Sequence, residues 1–199
     1  MNFLAHIYLS GENDMLKIGN FMADSIHGRK PESFPDEICK GIMLHRAIDT
    51  FTDAHPVFRQ STRRLHPFYH HYSGVIVDIF YDHFLARDWD EYHSLPLATY
   101  ARQFYSLLED NMHLLTEKTK NMIPYMVKHD WLGSYATLEG IGRTLAQMDR
   151  RTKNKSGMAQ AINQLTAFTT EFEAEFRAFF PEVQEHVKQK ISELQGSFN

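Results

Sequence analysis

The chain has 199 residues, of which 43% are hydrophobic and 23% charged, so it contains enough apolar material for the core of one soluble domain. The net charge of −4 argues against a general nucleic-acid binder, because that class needs a basic surface. The single cysteine excludes an internal disulfide framework, and no apolar run approaches the ~20 residues that span a bilayer. We therefore expect a cytoplasmic protein with neither a membrane nor a nucleic acid as its partner.

Hydrophobic periodicity, prolines and capping residues predict an all-α fold, a single-domain helical bundle over residues 1–199. The first predicted helix covers residues 14–26 and is followed by Gly28 as a C-terminal stop. A loop from Pro31 to Pro35 leads to a second helix over residues 35–53. The remaining predicted helices are 56–65, 75–87, 97–115, 117–128 with a kink at Pro124, 134–151 and 158–194 with a break at Pro181.

One face of the helix predicted over residues 35–53 carries groups suited to chemistry. Ile38 and Ile42 share this face with His45 and Asp49, which lie one turn apart. A buried carboxylate is unfavourable unless it is paired or bound to a metal. Two interpretations stay open for this helix: a His–Asp pair that satisfies itself in the core, or part of a metal site.

The helix predicted over residues 75–87 is apolar on nearly all sides, yet Asp78 and Asp82 lie one turn apart with His83 beside them. Two carboxylates at this spacing repel each other unless a positive charge lies between them. A divalent cation would serve, as would Arg46 or Arg87. Oxygen and imidazole ligands in this mixture suit Mn, Mg, Fe or Zn.

Two further ligand-type residues occur in apolar surroundings. Asp24 follows Phe21 and Met22 in the first predicted helix, and His6 lies in the apolar run at residues 3–9. Helical bundles build metal sites from carboxylates and imidazoles that several helices direct inward. A lone histidine in an apolar run is more often a core residue than a ligand, and both interpretations of His6 stay open.

Four motifs occur in order along the first half of the chain: MNFLAH at 1–6, GNFMAD at 19–24, GIMLHRAIDTFTD at 41–53 and DIFYDHFLARDW at 78–89. Together they resemble the acyl carrier protein phosphodiesterase family, also called acyl carrier protein hydrolases. The resemblance implies a helical fold distantly related to the His-Asp metal-dependent phosphohydrolases. It also implies hydrolysis of the phosphodiester that joins 4′-phosphopantetheine to a serine of holo-acyl carrier protein, with a divalent metal, typically Mn.

The resemblance also suggests which side chains form the site. They are the acidic and imidazole groups of the motifs with one arginine: His6, Asp24, His45, Arg46, Asp49, Asp78, Asp82 and His83. We expect His45, Asp49 and Asp78 to be metal ligands. Asp24 and Asp82 would be further ligands or would orient the attacking water.

Three other side chains are assigned to the reacting phosphodiester. His83 or His6 would protonate the leaving serine oxygen, and Arg46 would pair with phosphate or with a carboxylate. Two other functions stay open: a related phosphohydrolase acting on a nucleotide or another small phosphodiester, and a non-catalytic helical module that binds a carrier protein.

The partner implied by the resemblance, holo-acyl carrier protein, is small and acidic. Because the chain itself is net acidic, docking requires a local basic patch. Arg63 with Arg64, and the segment 150–155, are the two candidates, and both are equally compatible with ordinary solvated surface charge. The sequence gives no indication of the oligomeric state.

Overall fold

The structure, a computed structural model, describes residues 1–26 and 34–196. Within these ranges it contains helices, turns and loops and no strand, which confirms the all-α prediction. The predicted stop at Gly28 and residues 31–33 of the predicted loop lie outside the described residues. No helix among the described residues has the length and hydrophobicity that crossing a bilayer requires.

The α-helices of the described part follow one another through short connections, several of which are single 3₁₀ turns. They are α1 Phe3–Leu9, α2 Asp14–Met22, α3 Asp36–Ala54, α4 Pro56–Tyr69, α5 Ser73–Arg87, α6 Leu97–Asp110, α7 Glu117–Lys128, α8 Trp131–Ser134, α9 Leu138–Arg151, α10 Ala161–Ala167 and α11 Thr169–Gly196. The 3₁₀ turn Ala23–Ser25 continues directly from α2 and contributes to the site described below.

Helix α5 is the central helix of the bundle. Every residue from Ile79 to Ala86 is buried, and α5 packs against α1, α4, α9 and α11. Phe80 and Tyr81 make edge-on ring contacts with aromatic side chains of α11, and Phe84 makes a stacked one. The nearly all-round apolar pattern of this helix therefore predicted its central position correctly.

Helices α2 and α3 cross at two glycines, and this crossing sets the distance between the helices that carry the site. A Cβ at Gly19 would lie 2.2 Å from the Ile38 carbonyl oxygen, and one at Gly41 would lie 2.4 Å from that of Leu16. No other residue type fits either position without moving a backbone. The close approach brings the end of α2 beside the middle of α3.

The first helix of the structure was not among the predicted elements. Residues 3–9 form α1, whose start is capped by the Asn2 side chain accepting a hydrogen bond from Phe3 N at 2.9 Å. The Asp82 carboxylate of α5 also accepts from Leu4 N at 2.8 Å. This second cap comes from a segment 78 residues away, so local pattern reading could not find it.

The C-terminal segment breaks at a different place from the one predicted. Helix α11 continues through Pro181, and the interruption lies instead at Phe168, between α10 and α11. Pro181 removes one backbone hydrogen bond from the helix, which is a local cost. Its neighbours Phe179, Phe180 and Val183 are fully buried, and burial of such a face supplies most of the stability of a helix. Packing of this face therefore outweighs the local cost.

Other boundaries also differ from the sequence-based prediction: α2 ends at Met22 rather than at residue 26, and α4 continues through Pro67 to Tyr69 instead of ending at residue 65. The helix predicted over 134–151 begins only at Leu138, as α9, and Ser134 is the last residue of α8. The cap of α9 is Thr137, whose Oγ1 accepts a hydrogen bond from Gly140 N at 3.1 Å. The helix predicted over 97–115 ends at Asp110 and is followed by the 3₁₀ turn Met112–Leu114.

Candidate functional site

Four ligand-type side chains from three chain segments meet beside the α2–α3 crossing. His6 comes from α1, Asp24 from the 3₁₀ turn after α2, and His45 and Asp49 from consecutive turns of α3. We call these four residues the His–Asp cluster. The imidazoles of His6 and His45 are stacked with ring centroids 4.1 Å apart, and both are buried.

The carboxylates close the cluster on its solvent side. His45 Nε2 lies 3.1 Å from Asp24 Oδ1 and 3.1 Å from Asp49 Oδ2, while His6 Nε2 lies 3.2 Å from Asp49 Oδ1. The Asp49 side chain is 42% exposed and that of Asp24 is 71% exposed. The imidazoles therefore form a buried floor, and the carboxylates form a rim that solvent and a ligand can reach.

A buried amide fixes the orientation of both imidazoles. Asn20 Oδ1 lies 2.8 Å from His6 Nδ1 and 3.1 Å from His45 Nδ1. Asn20 Nδ2 donates to the His6 carbonyl oxygen and to Ser10 Oγ, each at 2.9 Å. A carbonyl oxygen only accepts, so the amide nitrogen must face His6 O and the amide oxygen must face the rings.

This arrangement selects the tautomer of each histidine. Because Asn20 Oδ1 only accepts, both Nδ1 atoms carry a proton, and a neutral ring then has a lone pair at Nε2. The two Nε2 atoms are the ones that face the carboxylates. Two lone pairs directed at anionic oxygens are unfavourable unless a proton or a metal cation lies between them. A hydrogen bond to the other ring nitrogen is also the usual support of a metal-binding histidine.

The pKa values of the two imidazoles are shifted in opposite directions. Burial lowers the pKa of His6 to about 4, which keeps this ring neutral. Burial also acts against charge on His45, but hydrogen bonds to Asp24 and Asp49 outweigh it and raise the pKa of His45 to about 9. Burial raises the pKa of Asp49, but the adjacent imidazoles of His45 and His6 outweigh it and hold that pKa below its usual range. The hydrogen bond from His45 lowers the pKa of Asp24.

The donor set fits a divalent cation. Ligand atoms of His6, His45 and Asp49 all lie within 4.8 Å of one another. His6 Nε2 is outside hydrogen-bonding geometry toward Asp49, and among the described residues this buried atom has no hydrogen-bond partner. Two imidazole nitrogens and a carboxylate suit Mn, Fe or Zn, and Asp24 stands close enough to His45 to add a fourth ligand.

The two predicted ligands of α5 lie elsewhere. Asp78 Oδ1 is 2.7 Å from the Met1 amino group, and Asp82 accepts backbone hydrogen bonds from Asn2, Leu4 and Ala5. In the described part of the chain, neither belongs to the group of side chains that could share a metal. The structure places both at the start of α1, where they hold the helix that carries His6.

The two remaining predicted site residues are also outside the cluster. His83 is buried, and its Nδ1 donates to the Tyr135 carbonyl oxygen at 2.7 Å, which ties α5 to the segment between α8 and α9. Arg46 is a half-buried side chain of α3 next to His45. Their predicted roles toward phosphate and the leaving oxygen stay predictions.

Comparison with known proteins identifies the family. A family model described as acyl carrier protein phosphodiesterase matches residues 1–183. The chain belongs to this family. The match covers every element from α1 to the middle of α11, including all members of the His–Asp cluster.

Relatives named acyl carrier protein phosphodiesterase align over nearly the whole chain. The protein of Pectobacterium atrosepticum is 31% identical over 94% of this chain and 98% of its own length. That of Photorhabdus laumondii is 30% identical over 96% of each chain, and that of Escherichia coli O6:H1 is 31% identical over 96% of this chain and 99% of its own. No solved structure matches, so the expected relation to the His-Asp phosphohydrolases stays a prediction.

In this member of the acyl carrier protein phosphodiesterase family, Asn20 is the site residue that sequence reasoning missed. It lies in the motif GNFMAD, four residues before Asp24, and this spacing puts both residues on the same side of the helix predicted over residues 14–26. An amide on an apolar face has to find hydrogen-bond partners when buried. That signal was present in the sequence, but its partners on α1 and α3 are set by tertiary packing.

Proposed function

We propose that this chain is a metal-dependent phosphodiesterase that releases 4′-phosphopantetheine from the serine of holo-acyl carrier protein. The observation that carries the proposal is the pair of Nε2 atoms directed at Asp49 while Asn20 holds both Nδ1 protons. Membership of a family with this name supplies the substrate class.

The cluster residues would hold the metal ion. His6 and His45 would present Nε2 lone pairs, Asp49 a carboxylate oxygen, and Asp24 a further oxygen at the exposed rim. A divalent cation, when bound, would lower the pKa of its water and neutralise charge on a phosphate. Resemblance to the family implies Mn as the metal. Mg would also bind the carboxylate oxygens, and Fe or Zn would also bind the imidazoles.

The proposed reaction is the hydrolysis of a phosphodiester bond. A water oxygen forms a bond to phosphorus, and the bond between phosphorus and the serine Oγ breaks. The serine oxygen takes up a proton, which gives apo-carrier protein, and the phosphopantetheine leaves as a phosphate monoester. Asp24, with its exposed carboxylate beside His45, would accept the proton of the attacking water.

Mass spectrometry of the carrier protein tests the proposal. Incubation of holo-carrier protein with this chain and Mn²⁺ is expected to remove the mass of the prosthetic group, and the Asp49→Asn variant should be at least ~100-fold slower because a ligand is lost. Asp53→Asn is the matched control, since Asp53 is an exposed carboxylate on the next turn of α3. Intact holo-carrier protein after incubation with metal-loaded wild type would reject the proposal.

A further inference from the structure

A cavity of about 230 Å³ lies directly beside the His–Asp cluster. Asp24 lines the cavity and also bounds the small pocket that contains His6, Asn20 and His45. The two spaces share Asn2, Phe3 and Phe21 as further wall residues. A molecule whose reacting end lies at the cluster therefore has a pocket for its other end within the same protein.

One wall of the cavity is aromatic and thioether in character. The Phe3 ring stacks on Trp131 with centroids 6.4 Å apart, and Phe3 also contacts Phe21 at 5.2 Å. Met122 of α7 and Met148 of α9 line the same space. Such a wall suits a branched aliphatic group, which gains from being removed from water.

The rest of the lining is polar or positively charged. Thr144 and Gln147, one turn apart on α9, supply a hydroxyl and an amide. Lys118 lies at the end of the cavity near the cluster, where its Nζ is 3.5 Å from the backbone oxygen of Asp24. Arg151 adds a second cation to the lining. The 3₁₀ turn Ala23–Ser25, which carries Asp24, is held by Ser25 Oγ, which lies 2.7 Å from Thr116 Oγ1.

We propose that this cavity holds the pantetheine arm of the substrate while its phosphodiester lies between Lys118 and the His–Asp cluster, an inference that rests on the proposed function. The chemical groups of the arm complement those of the lining. Its geminal dimethyl group matches the wall of Phe3 and Trp131, and its two amides match Thr144 and Gln147. Lys118 offers a counter-charge to the phosphate at the end next to Asp24.

Tryptophan emission reports on the cavity without requiring turnover. The chain has two tryptophans: Trp131 lines the cavity, whereas Trp89 is 2% exposed and donates its indole N–H to the Leu95 carbonyl oxygen. Titration with 4′-phosphopantetheine should change the emission in a saturable way. The Trp131→Phe variant should lose this change.

A substitution that fills the cavity tests the location. Thr144→Phe should abolish the saturable change, and Gln147→Leu should weaken binding by about ten-fold through loss of one hydrogen-bonding group. Gly142→Phe is the matched control on the same helix, because its Cβ would have no heavy atom of the described residues within 4 Å. Thermal melting checks that each variant is folded.

Kinetics separate this inference from the proposed function. Release of the arm by wild type tests the proposed function alone. If Thr144→Phe lowers kcat/KM for holo-carrier protein by at least about ten-fold while Gly142→Phe leaves it within about two-fold, the cavity is the arm site. Unchanged Trp131 emission on titration, or wild-type kinetics of folded Thr144→Phe with holo-carrier protein, would overturn the inference while leaving the proposed function intact.

Discussion

Asn20 sets the orientation of both imidazoles in the His–Asp cluster. One carbonyl oxygen accepts from two imidazoles, which leaves both Nε2 atoms directed at the carboxylates. The amide nitrogen in turn is anchored to α1 through the His6 carbonyl oxygen and Ser10 Oγ. The Asn20 side chain therefore links α2 to groups on two other segments, α1 and α3.

Replacement of Asn20 should weaken metal binding. Asn20→Leu removes the acceptor of both Nδ1 protons, and we expect the affinity for Mn²⁺ to fall by roughly 10–100-fold in isothermal titration. Asn20→Asp keeps an acceptor and should retain more affinity than the leucine variant. Asn163→Leu, a change at an exposed asparagine of α10, should leave affinity unaltered. A folded Asn20→Leu protein with wild-type affinity would contradict this role.

Asp82 should make stability depend on pH. Burial raises the pKa of Asp82 to about 7, above the ~3.9 of an unfolded chain. Between these values the native state binds the proton more tightly than the unfolded state, so stability falls as pH rises through this window. Relative to Asp82→Asn, the wild-type free energy of unfolding should fall by on the order of 1 kcal/mol per pH unit between pH 5 and 7.

Urea unfolding of both proteins at pH 5, 6 and 7 measures this difference. The asparagine variant keeps a carbonyl oxygen for the backbone N–H groups of Leu4 and Ala5, so its helix cap is retained. Parallel pH profiles for the two proteins would show that Asp82 does not titrate in this range.

At the scale of elements, the glycine crossing of α2 and α3 sets the geometry of the site. It brings Asn20 on α2 within reach of His45 on α3, while α1 supplies His6 from the other side. The chain thus builds a buried floor from helices that approach more closely than side chains ordinarily permit.

Alanine at this crossing should destabilise the protein. Gly41→Ala would put a Cβ 2.4 Å from a backbone oxygen, so the helices must separate, at a cost of about 1–3 kcal/mol. Gly142→Ala, at a helical position with open space among the described residues, should instead stabilise by up to ~1 kcal/mol. Thermal unfolding of the two variants compares them directly. Equal melting temperatures would argue against close packing at Gly41.

Local periodicity predicted part of the His–Asp cluster and could not predict the rest. His45 and Asp49 were found because their spacing of four residues is a property of α3 alone. The pattern at Asp78 and Asp82 looked equally suited to a metal, but their partners are the start of α1 and the Met1 amino group. That pairing joins residues about 80 positions apart, and helical spacing carries no information about it.

The same limit explains the elements that were misplaced. The break predicted at Pro181 relied on a local hydrogen bond, whereas α11 is held by buried aromatic side chains that pack on α5. The central position of α5 was predictable because a helix that is apolar on all sides has to be enclosed.

At the scale of the whole molecule, the charge distribution bears on an acidic protein substrate. The net charge is −4, so attraction has to be local. Of the two predicted patches, Arg64 is bound to the buried Glu175 at 2.7 Å, whereas Arg150 is exposed and Arg151 lines the cavity beside the cluster. The end of α9 is therefore the better placed of the two for docking.

Charge reversal at the end of α9 should weaken docking selectively. Arg150→Glu combined with Arg151→Glu should raise KM for holo-carrier protein by about ten-fold or more, and added salt should weaken the wild type in the same direction. Hydrolysis of a small phosphodiester should change little. Lys188→Glu, on the exposed side of α11, is the charge-matched control. An equal effect of the control would indicate a general charge effect.

The position of a bound metal tests the central claim most directly. Crystals of the Mn²⁺-loaded protein, measured for anomalous scattering of manganese, should show a peak bounded by His6 Nε2, His45 Nε2 and the Asp49 carboxylate, at ligand distances near ~2.1 Å. A peak between Asp78 and Asp82, or a fully loaded protein whose manganese lies away from both imidazoles, would contradict the account.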